Sequence, residues 1–205
     1  MRRALALALV LAQGAVHADE PRTADSFKDW RVQHEAAVAA FEALLVAQGL
    51  AEVAPLHQLL RSASDWQRCG AEPYAVPPEA QWPAALSTLR LLRTLRSEAV
   101  LGAFEIHSAH RDAALNACAG GAPRSTHLVA FAVDLVPLDD AQAGARLCRY
   151  WARHGQGWQM GLSRYPSGRI HIDTWRYRTW GADHSARSSF CAAESEREAA
   201  PDAAR

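Results

Sequence analysis

The sequence predicts an α+β fold: a small, mostly antiparallel sheet with helices packed on one side. Three observations predict it. Residues 26–49 and 84–96 repeat apolar side chains at three- and four-residue steps, the period of a helix with one buried face. Short runs rich in branched and aromatic residues follow, FEIHSAH (104–110), HLVAFAVDLVP (127–137), WQMGLSRY (158–165) and GRIHIDTW (168–175), with turn residues between them. The links are short, and no internal repeat is present.

The chain opens with Arg2 and Arg3, the apolar run ALALALVLA and then QGAVHA, which offers small residues at Val16 and Ala18. That pattern reads as a secretory signal peptide over residues 1–18, cleaved after Ala18. No cysteine follows the apolar run to carry a lipid, and no later run is long enough to span a bilayer. The expected location is the periplasm or the medium. About 187 residues then remain, enough for one domain with a real core or for one domain plus a small helical appendage. Acidic and basic residues balance at 22 each, so charge gives no reason to expect nucleic acid or an anionic membrane as partner. A monomer is expected.

In residues 26–49, Phe27, Trp30, Val38, Phe41, Leu44 and Leu45 form the apolar stripe and Gly49 ends the helix. A shorter helix is expected over 55–61, then an extended, proline-rich connection, CGAEPYAVPPEAQWP. Residues 19–80 thus read as a helical region and linker ahead of a second unit, 81–191. That unit opens with a helix whose Leu86, Leu89, Leu92 and Leu95 should face a sheet. FEIHSAH is a strand entering a loop, ACAGGAP (117–123) a turn, and HLVAFAVDLVP a half-buried strand by its alternation. Asp139 is placed to cap a helix running to about His154, and two strands follow. Residues 192–205 lack aromatic and branched aliphatic side chains and read as a disordered tail.

Four cysteines in an exported chain imply two disulfides, with three connectivities open. The expected pairs are Cys69 with Cys118 and Cys148 with Cys191, the second tying the end of the chain to a helix. The spacings do not suit a thiolate zinc knuckle.

The chemistry concentrates in RSTHLVAFAVDLVP, where His127 precedes Asp134 by seven positions inside an apolar run. Burying an ionised aspartate or an unpaired imidazole costs several kcal/mol unless something pairs with it, and a cation would do so. Neutral imidazole and carboxylate are ordinary zinc ligands. IHID adds His171 as a third, with Asp173 on the same side of a strand. A separation of seven is odd, so in one straight strand His127 and Asp134 would face opposite sides. A shared metal therefore requires a bulge, or His127 lying in a loop before the strand.

Residues 104–181 resemble the zinc D-Ala-D-Ala peptidases of the M15 family, whose fold is shared with lysostaphin-type endopeptidases and the Hedgehog signalling domain. STHLVAFAVD is similar to the family's SxHxxGxAxD, which places zinc ligands on His127 and Asp134. HSAHRDAALNACAGGAPRSTH looks like the SGYRSPxxN segment, with its arginine on Arg111 and its asparagine on Asn116. RYPSGRIHIDTWRYRTW is similar to YPxSxFVHVDxGxxRxW of the HxD murein endopeptidases, with the third ligand on His171. Departures are Ala130 for the glycine, His110 for the tyrosine, and Gly168 where several branches carry an acidic general base.

The resemblance implies a Hedgehog/DD-peptidase-like fold, a Zn2+ cofactor, peptidoglycan stem peptides as partners, and amide hydrolysis by metal-activated water. Arg111 and Ser125 become candidates for binding substrate. Asp173 is the first candidate for general base, with a role in orienting a ligand histidine as its alternative, and His110 is the second. Neither Ser108 nor Ser125 sits in a serine-hydrolase motif. A zinc-containing module that binds peptidoglycan without cleaving it is the alternative function.

Overall fold

A computed structural model describes residues 22–192. The segment expected to be a signal peptide, residues 1–18, and all but the first residue of the expected tail lie outside them.

Helix α1 (Ala24–Ala47) starts where Thr23 and Ser26 cap each other's backbone amides, and it buries Phe27, Trp30, Val38, Phe41 and Leu45. Gly49, at φ +64°, turns the chain out of it. Helix α2 (Leu56–Leu59) is a single turn after Pro55. The proline-rich connection then runs extended, touching Arg61 through a bridge at Tyr74. Helix α3 (Trp82–Ser97) carries Pro83 in its first turn and buries Leu86, Leu89, Leu92 and Leu95, the stripe read from the sequence. Strand β1 (Phe104–Ser108), helix α4 (Ala113–Cys118), strand β2 (Ala132–Pro137), helix α5 (Ala143–His154) and strands β3 (Gly161–Arg164), β4 (Ile170–Asp173) and β5 (Arg178–Trp180) complete the chain.

The sheet has the order β1-β2-β4-β3-β5, antiparallel except for the β3–β5 pair. The α+β class with a mostly antiparallel sheet flanked by helices is therefore present. Strands β2 and β4 are central, and their register sets Asp134 opposite His171. Leucines of α3, the aromatic residues of α1, and Ile106, Leu135, Leu162 and Ile172 of the sheet form one continuous core.

Four expectations are corrected. Residues 127–131 are not strand; β2 begins only at Ala132. Residues 132–135 are buried throughout rather than alternately, because β2 is paired on both edges and covered on both faces. Asp139 does not cap α5: it has a left-handed backbone, φ +51°, and the helix starts later, after Gln142, with no side-chain cap. Asp140 instead pairs with Arg146. Helix α4, capped by Asp112 on the Leu115 amide, takes in the first two residues of the expected turn 117–123, and β5 joins the sheet beside β3. Both elements are too short to show a period in the sequence.

The two disulfides are Cys69–Cys118 and Cys148–Cys191, and no described cysteine is free. No helix among the described residues is long and apolar enough to cross a membrane.

Candidate metal centre

His127 lies in a single 3-10 turn, Thr126–Val129, that ends at Ala130 in a left-handed conformation, φ 59°. That turn answers the odd spacing. The reversal lets the imidazole come back over the sheet to the side chain of Asp134, so the seven-residue separation no longer sends them to opposite faces. Ser125 opens the turn, its hydroxyl accepting the His127 amide at 3.3 Å. His171 reaches the same place from β4, directly across from Asp134.

Three donor atoms, one each from His127, Asp134 and His171, lie within 4.8 Å of one another, and all three residues are buried. Asp134 Oδ1 stands 3.1 Å from His127 Nε2 and 2.9 Å from His171 Nδ1. The tautomer of His127 follows from its other nitrogen: Nδ1 is 2.6 Å from the Ala109 carbonyl, which can only accept, so Nδ1 carries the proton. When the ring is neutral, Nε2 then presents a lone pair to a carboxylate oxygen. The two acceptors face each other with Arg111 Nη2, 3.4 Å from Nε2, as a neighbouring donor, and a metal cation between them would satisfy both directly. On His171, Nε2 donates to Asp173 Oδ2 at 2.9 Å, which aims Nδ1 into the cluster. The donor set thus fits zinc: two imidazoles and a carboxylate, each imidazole held by a hydrogen bond from its remote nitrogen.

Electrostatics agree with the geometry. Burial, and after it the Arg111 charge, pushes His127 down to about 4 despite Asp134, so its ring is neutral at ordinary pH. Burial alone would raise Asp134, but the two imidazoles carry it well below the usual carboxylate range. Burial opposes charge on His171, yet its hydrogen bonds to Asp134 and Asp173 outweigh this and raise it. Asp134 Oδ2 accepts from Arg111 Nη2 at 2.5 Å, and Arg111 Nε donates to Ser108 at 2.9 Å.

Two members of the cluster, Asp134 and His171, but not His127, line a cleft of about 780 Å³. Its walls come from residues 63–65, the 119–126 segment around Arg124 and Ser125, the β3–β4 turn with Tyr165 and Arg169, and residues 176–186. Arg111 and Ser125 line it as well.

Asp173 and His110 do not line it. The Asp173 side chain is fully buried, and its oxygens are taken by His171, the Trp175 amide and a bidentate contact from Arg178. It packs where a Cβ on Gly161 would come within 2.3 Å of Oδ2, so a glycine is needed there. Burial works to raise its pKa, but His171 and Arg178 hold it down at about 2. His110 hydrogen-bonds the His127 carbonyl through Nδ1 at 3.2 Å and faces an apolar pocket with Phe41, Leu59 and Val133.

Sequence reasoning left two contributors unassigned. Tyr165 brings its hydroxyl to 3.3 Å from His171 Nδ1, and Arg178 clamps Asp173 while stacking on Trp180 at 4.4 Å. The signal was in the third motif, whose tyrosine, arginine and final tryptophan fall on these positions. Trp180 in turn packs edge-on against His171. His184 also lines the cleft.

A family model described as Peptidase M15 matches residues 57–173, more than half of the chain. The chain belongs to the M15 peptidase family. No curated protein and no solved structure matches it. The M15 match runs from α2 to the last residue of β4 and so contains all three members of the triad. It begins within the segment that the sequence alone assigns to an N-terminal helical region. A zinc metallopeptidase assignment thus rests on family and on a His127/Asp134/His171 cluster together.

Proposed function

We propose that this M15 peptidase works outside the cytoplasm and hydrolyses amide bonds in peptidoglycan stem peptides. The observation that carries the reading is the convergence of His127 Nε2, Asp134 Oδ1 and His171 Nδ1 beside an open cleft that Asp134 and His171 line. These atoms are the ligands for zinc, which when bound supplies Lewis acidity toward a peptide carbonyl and toward water. Asp173 is a positioning residue: it fixes the His171 ring and tautomer, and Arg178 fixes Asp173. Arg111 holds Asp134 by one nitrogen, while its Nη1 has no partner among the described residues and is available to a substrate carboxylate. Ser125 orders the turn that carries His127 and offers its hydroxyl to the same cleft. Tyr165, whose pKa is raised by burial and then by the Asp134 charge, stays protonated and donates a hydrogen bond beside the ligands. Two disulfides and the N-terminal signal pattern support export.

The test is mass spectrometry of monomeric and cross-linked muropeptides incubated with the zinc-loaded mature protein, beside a chelated sample and His127→Ala. Products that appear only with intact metal and ligands are expected, and their masses name the bond. Bound zinc without any cleavage would overturn the peptidase reading in favour of a binding module.

A further inference from the structure

The cleft is strongly cationic although the chain as a whole is neutral. Five arginines line it, Arg111, Arg124, Arg169, Arg176 and Arg178, against two carboxylates, Asp65 and Asp134. Much of this charge is already committed. Arg111 pairs with Asp134, Arg178 with Asp173, and Asp65 with Arg68 outside the arginine set. Arg124, Arg169 and Arg176 have no carboxylate partner among the described residues; Arg169 reaches only the hydroxyls of Ser64 and Ser167. Three uncompensated guanidinium groups in one concave site concentrate positive potential where substrate must lie.

Their placement is directional. Arg169 stands just before β4 and Arg176 just beyond its end, so the two flank His171 along the strand. Arg124 comes from a different segment of the lining, next to Ser125 and ahead of the turn that carries His127. A peptide crossing the ligand cluster would therefore meet a guanidinium on either side of the reacting amide. The planar fork of arginine suits carboxylate, and exposed side chains of this kind lose little when unoccupied.

Resting on the peptidase reading above, we propose that Arg124, Arg169 and Arg176 select an acidic peptide, one with free carboxylates on both sides of the scissile bond, over the same peptide with those carboxylates amidated. The consequence lies in binding rather than in the chemical step, because none of the three touches the ligand cluster.

The experiment compares two synthetic stem peptides that differ only in amidation of their carboxylates, with wild type and an Arg124→Gln/Arg176→Gln variant. Hydrolysis is followed with zinc-loaded protein, and binding is measured by calorimetry with chelated protein. For wild type, amidation should raise KM about tenfold at similar kcat, the combined loss of two solvent-exposed ion pairs. Added salt should weaken binding of the acidic peptide alone. The variant, which keeps Arg169 and Arg111, should discriminate several-fold less between the two peptides than wild type while keeping the wild-type unfolding temperature, since both positions are exposed. Equal handling of the two peptides by wild type, with cleavage intact, would overturn this selectivity and leave the peptidase reading standing. Preferential binding of the acidic peptide without cleavage would do the reverse. Neither binding nor cleavage would remove both.

Discussion

His171 and Asp173 share one face of β4, and the hydrogen bond of 2.9 Å from His171 Nε2 to Asp173 Oδ2 decides which nitrogen of the imidazole faces Asp134. Asp173 is in turn held by Arg178 through both oxygens. A carboxylate so occupied, and with its pKa held at about 2, has no oxygen left to accept a proton from water. Asp173→Asn should therefore weaken zinc binding by about 10–100-fold, the usual scale for losing such a partner, and recover most of its rate at saturating zinc. Zinc titration beside activity checks this. A rate that stays near zero with the site fully loaded would return Asp173 to the role of base.

The same residue sets a pH dependence of stability. Its folded pKa, about 2, lies below the ordinary aspartate value, so its ionised form stabilises the fold. The sign follows: that stability is fully present above pH ~4 and is lost as pH falls from there toward 2. The shift corresponds to about 2 kcal/mol. Wild type should lose this increment across that window in chelated buffer, and Asp173→Asn, already less stable, should show a flatter acid limb. Parallel acid limbs would contradict it.

The fold was legible where periodicity is long, and the site where chemistry is distinctive. Leu86, Leu89, Leu92 and Leu95 predicted the face of α3, and His127, Asp134 and His171 stood out because polar groups in apolar runs need a partner. The elements of α4 and β5 span six and three residues and carry no period to read. His127 sat inside a strand-like pattern, and what removes it from β2 is a left-handed residue, Ala130, that composition does not betray. The occupancy of Asp173 was hidden for another reason: it depends on Arg178, which reaches it only because β3 and β5 lie side by side.

Ala130 offers a stability test. Its φ of 59° is a conformation in which a Cβ costs roughly 1–2 kcal/mol, and glycine removes that cost. Glycine also gives the unfolded chain more freedom, which returns roughly 0.4–1 kcal/mol. Ala130→Gly should therefore stabilise the protein by about 0.5–1 kcal/mol with zinc content unchanged. Denaturant unfolding measures it, and a destabilised variant would mean that the methyl group's packing outweighs the backbone term.

The two disulfides should differ in their response to reductant. Cys148 and Cys191 are buried, whereas Cys118 is exposed at the end of α4. Cys69–Cys118 also joins two walls of the cleft, the 63–65 segment and the 119–122 turn. It closes a separation of 49 residues, for which loss costs about 2–4 kcal/mol. Mild reductant should open this bond first, and Cys69→Ser/Cys118→Ser should raise KM more than it lowers kcat, because two of the three metal-site residues, Asp134 and His171, sit on the sheet. Alkylation followed by mass spectrometry identifies the bond, and simultaneous opening of both would contradict the accessibility argument.

The proton acceptor is the last group to locate. Gly168, where related branches carry an acid, has φ +86° at the tip of the β3–β4 turn and no side chain to offer. Asp173 and His110 do not reach the cleft, and Asp134 is a ligand. Among the described residues lining the cleft, the groups able to accept a proton are then His184 and Asp65, and Asp65 pairs with Arg68 at 3.0 Å. His184→Ala should lower kcat by about 10²–10⁴-fold, the range that general-base catalysis supplies, with zinc content and KM nearly unchanged. Asp65→Asn should leave kcat within a few-fold of wild type. The reverse pattern would move the role to Asp65, and full activity in both variants would mean that the residues lining the cleft are not the proton acceptor at all.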